Sequence, residues 1–143
     1  MRIVVLAVLA ACAPLYERGA FPADAGVVHE LGCLDIAMRG AWPAQSVGPV
    51  VDARFGNRCE HAVAVDLGAL RVRAGGELLE LYDPHREVVP RWLPARGVGE
   101  ELLEYRPRER SEIAAVDVEL PGGARVHLDV PPGDALGGDE VVR

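Results

Sequence analysis

The sequence predicts an all-β domain of two antiparallel sheets, and two observations lead to that prediction. Apolar and polar residues alternate along several short segments, which is the period of a half-buried strand. Turn-forming Gly, Pro and Asp residues separate these segments. The clearest pair is 114–120 and 126–130, joined by a glycine turn at 121–124. Each of these strands has one apolar face, so a second sheet is needed to cover it.

Two alternating segments nearer the N-terminus predict another antiparallel pair. They cover 27–39 and 50–58, and a loop rich in Pro and Gly at 40–49 connects them. Their apolar residues fall on one face. Their polar residues, Asp35 and Asp52 among them, are expected on a solvent-exposed face.

The cysteines suggest a register for this pair. Pairing Ile36 with Gly56 places Cys33 opposite Cys59, at the open end of the hairpin. In an oxidising compartment a disulfide between them is the expectation, and closing a loop of about 25 residues stabilises a fold by about 3 kcal/mol. Two buried free thiols are one alternative. A redox-active pair is another, although the Cys-X-X-Cys spacing typical of such pairs is lacking.

The remaining segments complete the predicted fold. Further strands are expected at 62–73, 78–82, 87–89 and 100–106, with an irregular segment at 92–99. Seven or eight strands within 27–131 predict a two-sheet antiparallel sandwich that is immunoglobulin-like. The Gly- and Asp-rich tail at 132–143 is expected to be disordered.

The first twelve residues predict export. Arg2 precedes a short apolar run at 3–9, which is too short to span a bilayer, and two alanines stand directly before Cys12. The resulting Leu-Ala-Ala-Cys run resembles the lipobox of bacterial lipoproteins, in which the cysteine is lipidated and becomes the first residue of the mature chain. The resemblance implies a signal peptide at 1–11 and a tether at 12–26. Simple secretion and a retained N-terminal helix are the alternatives.

The predicted tether contains apolar residues. Leu15, Tyr16 and Phe21 are more apolar than a free linker requires. Partial packing onto the domain is therefore an alternative to a fully extended spacer.

The resemblance also implies a location. The residue after the cysteine is Ala13 and not Asp. In diderm lipoproteins this implies a location at the outer membrane, facing the periplasm or the cell surface. The layout resembles short immunoglobulin-like lipoproteins of GC-rich diderm bacteria, through the lipobox, the strand count and the Phe-Gly-Asn-Arg-Cys stretch at 55–59. That resemblance implies no activity. The net charge of -7 argues against binding to nucleic acid, so the lipid is the expected link to the membrane.

The sequence offers no convincing catalytic constellation. Ser46 and Ser111 are the only serines, and neither lies in a Gly-X-Ser-X-Gly elbow. The carboxylates of Glu100, Glu101 and Glu104 are typical of a solvated charge run. We therefore predict that the protein is not an enzyme and uses no cofactor.

Candidate binding residues are few. Trp42 and Trp92 lie in predicted loops that contain proline, where they either form a contact surface for glycan or protein or cap the core. Asp83, His85 and Glu87 fall on alternate positions and are weak metal-ligand candidates, although the intervening proline favours a solvated turn.

Two further polar features have structural interpretations. His127 alternates with Arg125 and Asp129, which predicts an exposed, salt-linked row on a strand. Asn57 is expected to fix a turn by bonding the backbone.

Together these features predict a lipid-anchored envelope protein that acts as a non-catalytic structural or protein-interaction module. The loops at 40–49 and 90–99, or an edge strand, are the expected contact surfaces for an envelope protein partner. The alternative is a periplasmic lipoprotein that binds glycan, a small ligand or metal.

Overall fold

A computed structural model of the chain describes residues 15–66, 69–82, 91–109 and 112–133. The fold is all-β with antiparallel sheets, as predicted. Within the described ranges no helix is long and apolar enough to span a membrane. The described strands number eleven: β1 (Val28–Leu31), β2 (Leu34–Ala41), β3 (Val50–Asn57), β4 (Val63–Val65), β5 (Arg71–Ala74), β6 (Glu77–Leu78), β7 (Glu80–Leu81), β8 (Arg91–Leu93), β9 (Val98–Arg106), β10 (Ala115–Glu119) and β11 (Arg125–Asp129).

The strands form two larger sheets and one small one. The five-stranded sheet has the order β1-β2-β3-β9-β7, the four-stranded sheet has the order β11-β10-β5-β6, and β4 pairs with β8. More strands are present than predicted because three predicted strands, at 27–39, 62–73 and 78–82, are each divided in two, and because β8 lies mostly in a segment predicted to be irregular. A turn at Gly32, whose φ is +63°, separates β1 from β2. At Leu79 the chain leaves the four-stranded sheet and enters the five-stranded one.

Both larger sheets contribute to a single apolar core. The five-stranded sheet supplies residues such as Ile36, Val51 and Leu103, and the four-stranded sheet supplies residues such as Val72 and Val118. The alternation predicted for the C-terminal pair is confirmed, since its apolar residues at 116, 118, 126, 128 and 130 are all buried. The strand favoured at 100–106 is also confirmed, as part of β9.

The predicted register of β2 and β3 is wrong by one residue. Ile36 lies opposite Phe55 and not opposite Gly56. Cys33 and Cys59 nevertheless form a disulfide, with their Cα atoms 5.4 Å apart. Cys59 lies beyond the end of β3, in a turn, so the bridge does not require the two cysteines to be opposite each other in the ladder.

The expectation that the polar face of β2 and β3 is solvent-exposed is also wrong. Asp35 is 0% exposed and Asp52 is 2% exposed. Residues 15–26 lie over this face, where Tyr16 and Ala25 are buried as well. The five-stranded sheet is therefore covered on both sides near its centre.

Two other predicted segments differ from the structure. The segment at 92–99, predicted to be irregular, contains most of β8 and the start of β9. The segment at 62–73 holds two separate strands, β4 and β5. The strand predicted at 87–89 and most of the predicted tail lie outside the described residues.

Candidate functional site

An open groove lies beside Trp42, where β2 ends, and we call it the Trp42 groove. The Trp42 N–H donates to the Pro131 carbonyl at 2.9 Å, and the Gly133 N–H donates to the Trp42 carbonyl at 3.0 Å. Gly40 permits this close approach, because a Cβ there would lie 2.5 Å from the Asp129 carbonyl oxygen. The groove has a volume of about 1390 Å³, and its walls include Val47, Arg106, Arg108, Glu112, Ile113 and Val130.

The walls of the Trp42 groove combine apolar and charged groups. Trp42 is half-buried and packs against the core with part of its surface. Arg106 stacks over Tyr82, with its guanidinium carbon 4.2 Å from the ring centroid, which holds a cation at one wall. An indole beside fixed charges suits a ligand that has both an apolar face and polar groups.

At the other end of β2, the disulfide and Asn57 organise a second region, which we call the disulfide corner. Asn57 is fully buried, and its Oδ1 accepts a hydrogen bond from the Cys59 N–H at 2.8 Å. Its Nδ2 donates to the carbonyls of His61 at 2.9 Å, Leu93 at 3.2 Å and Pro94 at 2.9 Å. The prediction that Asn57 fixes a turn through the backbone is confirmed. This one side chain also ties the turn after β3 to the turn between β8 and β9.

Tyr16 docks the N-terminal segment on the disulfide corner. Its backbone N–H donates to the Arg96 carbonyl at 2.6 Å, and its hydroxyl donates to Asp35 Oδ2 at 2.8 Å. Its ring lies on Gly56, where a Cβ would come within 2.1 Å of a ring carbon. Burial, and then the bond to Asp35, raise the pKa of the Tyr16 phenol to about 12. Asp35 is further paired with Arg58 Nε at 2.9 Å.

The second buried carboxylate also has arginine partners. Arg39 lies between Asp52 and Asp24, with a nitrogen 2.9 Å from a carboxylate oxygen of each. Because Asp24 belongs to the N-terminal segment, this bridge holds the segment to the sheet, and a contact between Arg18 and Glu30 does the same nearby. Buried carboxylates paired with arginine are the arrangement expected of structural ion pairs.

The two tryptophans do not share a surface patch. Trp42 adjoins the β2–β3 pair near Glu104, whereas Trp92 precedes Leu93, whose side chain reaches Gly99. Gly99 and Glu104 are five residue steps apart along β9, which is about 17 Å at about 3.4 Å per step. Trp92 lies in a strand and not in a loop, and it is 68% exposed.

The other sequence candidates have separate positions. Cys12 and the weak metal candidates Asp83, His85 and Glu87 lie outside the described residues. Among the residues that the structure does describe, no group of three or more His, Cys, Asp or Glu is arranged to hold a metal ion.

His127 belongs to an exposed polar row, as predicted, but its nearest partner lies on the neighbouring strand. Its Nδ1 is 2.8 Å from Asp117 Oδ1, and its Nε2 is 4.0 Å from Asp129 Oδ1. The hydrogen bond to Asp117 raises the pKa of His127 above its ordinary value of 6.5.

Sequence reasoning missed the role of Tyr16, although one signal pointed to it. The apolar residues at 15, 16 and 21 were unusual for a tether, and the structure buries Tyr16, stacks Phe21 beside it with ring centroids 5.3 Å apart, and leaves Leu15 exposed. The burial of Asp35 has no such local signal, because its partners are distant in sequence.

Comparison of the chain with models of known families, with curated proteins and with solved structures gave no match. The function therefore has to be inferred from the residues and their geometry.

Proposed function

We propose that this chain is a lipid-anchored protein of the cell envelope that acts as a non-catalytic structural or protein-interaction module. The observation that carries the proposal is the use of the cysteines. The disulfide occupies Cys33 and Cys59, which leaves Cys12 as the one remaining cysteine of three, directly after Leu-Ala-Ala. Disulfides persist in oxidising compartments, and the lipobox resemblance assigns the remaining thiol to lipid. Both features favour export.

The proposed architecture is an immunoglobulin-like sandwich at the outer membrane, facing the periplasm or the cell surface. Two surfaces are available to an envelope protein partner. One is the Trp42 groove. The other is β1, which is an edge strand among the described strands; it begins at exposed Val28, directly after exposed Val27. A short exposed edge accepts an added strand through its main-chain groups.

The non-catalytic assignment is supported by the two buried carboxylates of the five-stranded sheet. Asp35 and Asp52 are buried, yet each is paired with arginine and holds the N-terminal segment in place. The contacts of these two carboxylates stabilise the fold, and this structural role explains why they are buried. The net charge of -7 favours a partner other than nucleic acid.

Intact-mass analysis of the protein extracted from membranes tests the anchor. We expect a chain that begins at Cys12 and carries a diacylglyceryl group. A Cys12→Ala variant should leave the membrane fraction, whereas a Cys33→Ser/Cys59→Ser variant should keep its lipid. A cytosolic protein that retains its leader, and whose three thiols are all alkylated without reduction, would refute the proposal.

A test of the interaction role follows from the same preparation. Cross-linking in cells before extraction should recover one envelope protein in a fixed ratio to the anchored chain. Loss of that partner on substitution of Val28 by Asp would assign the contact to β1, and loss on Trp42→Ala would assign it to the groove. Recovery of no partner at a fixed ratio would contradict the interaction role.

The Trp42 groove favours a second candidate function, which is the binding of a glycan, a small ligand or metal. A Trp92→Phe variant leaves Trp42 as the only indole, so its emission reports on the groove. We expect a saturable shift on titration with soluble envelope glycans or divalent cations if this function is present. A Trp42→Phe variant is the matched control. Unchanged Trp42 emission across these probes would exclude them as ligands of the groove.

A further inference from the structure

The docking of Tyr16 limits how far the domain can stand from its anchor. Tyr16 is four residue steps from Cys12, and a fully extended chain covers about 3.5 Å per step, so the two Cα atoms are at most about 14 Å apart. A free tether to residue 26 would have allowed about 50 Å. The N-terminal segment therefore supplies attachment at a defined place and very little reach.

Three exposed apolar side chains belong to residues that adjoin the disulfide corner along the chain or across the ladder. The exposed fractions are 66% for Leu15, 61% for Val98 and 68% for Trp92. Leu15 directly precedes the docked Tyr16. Val98 is the ladder partner of the glycine that lies under the Tyr16 ring. Trp92 directly precedes Leu93, whose carbonyl accepts a hydrogen bond from the buried asparagine of the disulfide corner.

The Trp42 groove lies at the far end of the same strand. β2 begins at Leu34, beside the disulfide, and ends at Ala41, next to Trp42. Its seven residue steps span about 24 Å at about 3.4 Å each. A bilayer that holds Cys12 is thus near one end of β2, and the groove is at the other end.

We propose that the disulfide corner lies against the lipid bilayer, with Leu15, Trp92 and Val98 in contact with the headgroup region and the Trp42 groove turned away from it. The inference rests on the proposed lipid anchor at Cys12. Indole and aliphatic side chains are favoured at the boundary between headgroups and acyl chains. Because the chain carries a net charge of -7, apolar contact and the short covalent link hold the surface, and attraction to anionic lipid does not.

The test uses a chain that begins at Cys12 and so keeps every described residue. With the Cys33–Cys59 disulfide closed, the Cys12 thiol is the single free thiol, and it is coupled to a maleimide lipid in phosphatidylcholine vesicles. Coupling in vitro makes the test independent of lipidation in the cell. A Trp42→Phe variant reports on Trp92, and a Trp92→Phe variant reports on Trp42 as the matched control.

We expect brominated phosphatidylcholine to reduce the Trp92 emission by at least about half, because the indole enters the headgroup boundary that the bromines reach. The Trp42 emission should be the same in brominated and plain vesicles. Equal Trp92 emission in both kinds of vesicle, with coupling verified by mass, would overturn the proposal. So would quenching of Trp42 in place of Trp92.

Two further measurements separate the alternatives. One asks whether the bilayer or a second copy of the chain covers the exposed apolar residues, and the other asks whether the anchor or only the orientation is wrong. Sedimentation of the uncoupled chain tests whether a second copy covers the patch, and a dimer that Trp92→Ser dissociates would replace the bilayer as the occupant. The mass of the chain extracted from cells tests the anchor itself. An unlipidated Cys12 refutes the proposed function, whereas an unquenched Trp92 in coupled vesicles refutes only the orientation.

Discussion

The packing of Tyr16 on Gly56 leads to a quantitative prediction about coupled substitutions. A Cβ at residue 56 would lie 2.1 to 2.3 Å from three carbons of the Tyr16 ring, so Gly56→Ala must displace the ring. The ring is 2% exposed, and it carries the hydroxyl that bonds Asp35. Displacing it removes both the packing and that hydrogen bond.

The magnitudes follow from these contacts. Removing a buried aromatic side chain costs about 3–5 kcal/mol, so we expect Tyr16→Ala and Gly56→Ala each to lower the free energy of unfolding by about 3 kcal/mol or more. With Tyr16 already removed, Gly56→Ala should cost nothing and should stabilise the strand by about 0.5–1 kcal/mol, because alanine is favoured over glycine there. The two substitutions should therefore be non-additive by about 3.5–4 kcal/mol or more.

Urea unfolding with the disulfide intact measures all four chains of this cycle, from the midpoint and the slope of each transition. Tyr16→Phe is the control that keeps the ring and loses the bond to a charged acceptor, and we expect it to cost about 1.5–3 kcal/mol. If Gly56→Ala destabilises the Tyr16→Ala protein as much as the parent, then the ring does not lie on Gly56 and the reasoning is refuted.

The same contact has a pH signature. The folded protein holds the Tyr16 phenol protonated, with a pKa of about 12 against an ordinary value of 10.0. The stability that this provides is fully present below pH 10 and is lost as the pH rises through about 12. Tyr16→Phe should remove this part of the alkaline loss of stability. An unchanged alkaline profile in Tyr16→Phe would contradict it.

Three further predictions concern other contacts. Asn57→Ala should lower the free energy of unfolding in urea by about 2–3 kcal/mol, because it leaves buried backbone groups unpaired, and a loss below about 0.5 kcal/mol would contradict this. NMR titration should give His127 a pKa above 6.5, and Asp117→Asn should lower that pKa. The small contribution of this contact to stability is present below pH 6.5 and is lost as the pH rises through the raised pKa. A His127 pKa that is unchanged in Asp117→Asn would count against the contact. Replacing Cys33 and Cys59 by Ser should cost about 3 kcal/mol in the same urea assay, and equal midpoints for parent and variant would show that the bridge adds nothing.

Several features could be predicted from local sequence alone. Alternation with a period of two is a local property, and it correctly located β10, β11 and the buried face of each. The pairing of Cys33 with Cys59 and the turn at Asn57 were also predictable. The sequence likewise led to the hypothesis of a lipid anchor at Cys12.

Long-range contacts decided the position of Cys59, whereas the register of β2 and β3 was predictable from their alternation. The prediction assumed that bridged cysteines lie opposite each other in the ladder. Asn57 instead turns the chain, so that Cys59 reaches the bridge from outside β3. The observed register of β2 and β3 differs from the predicted register by one residue. Alternation itself favours the observed register, because directly opposite residues of an antiparallel pair lie on the same face and Ile36 and Phe55 are both apolar.

The two faces of the five-stranded sheet also differ in whether the sequence alone could predict their burial. The pattern of β2 and β3 correctly assigned their apolar face to the core, since that assignment needs only the order of residues along each strand. Burial of Asp35 on the opposite face required Tyr16, which is 19 residues away in the chain. A carboxylate is stable there because a hydroxyl and the Arg58 guanidinium replace its water, and only the folded chain brings those groups together.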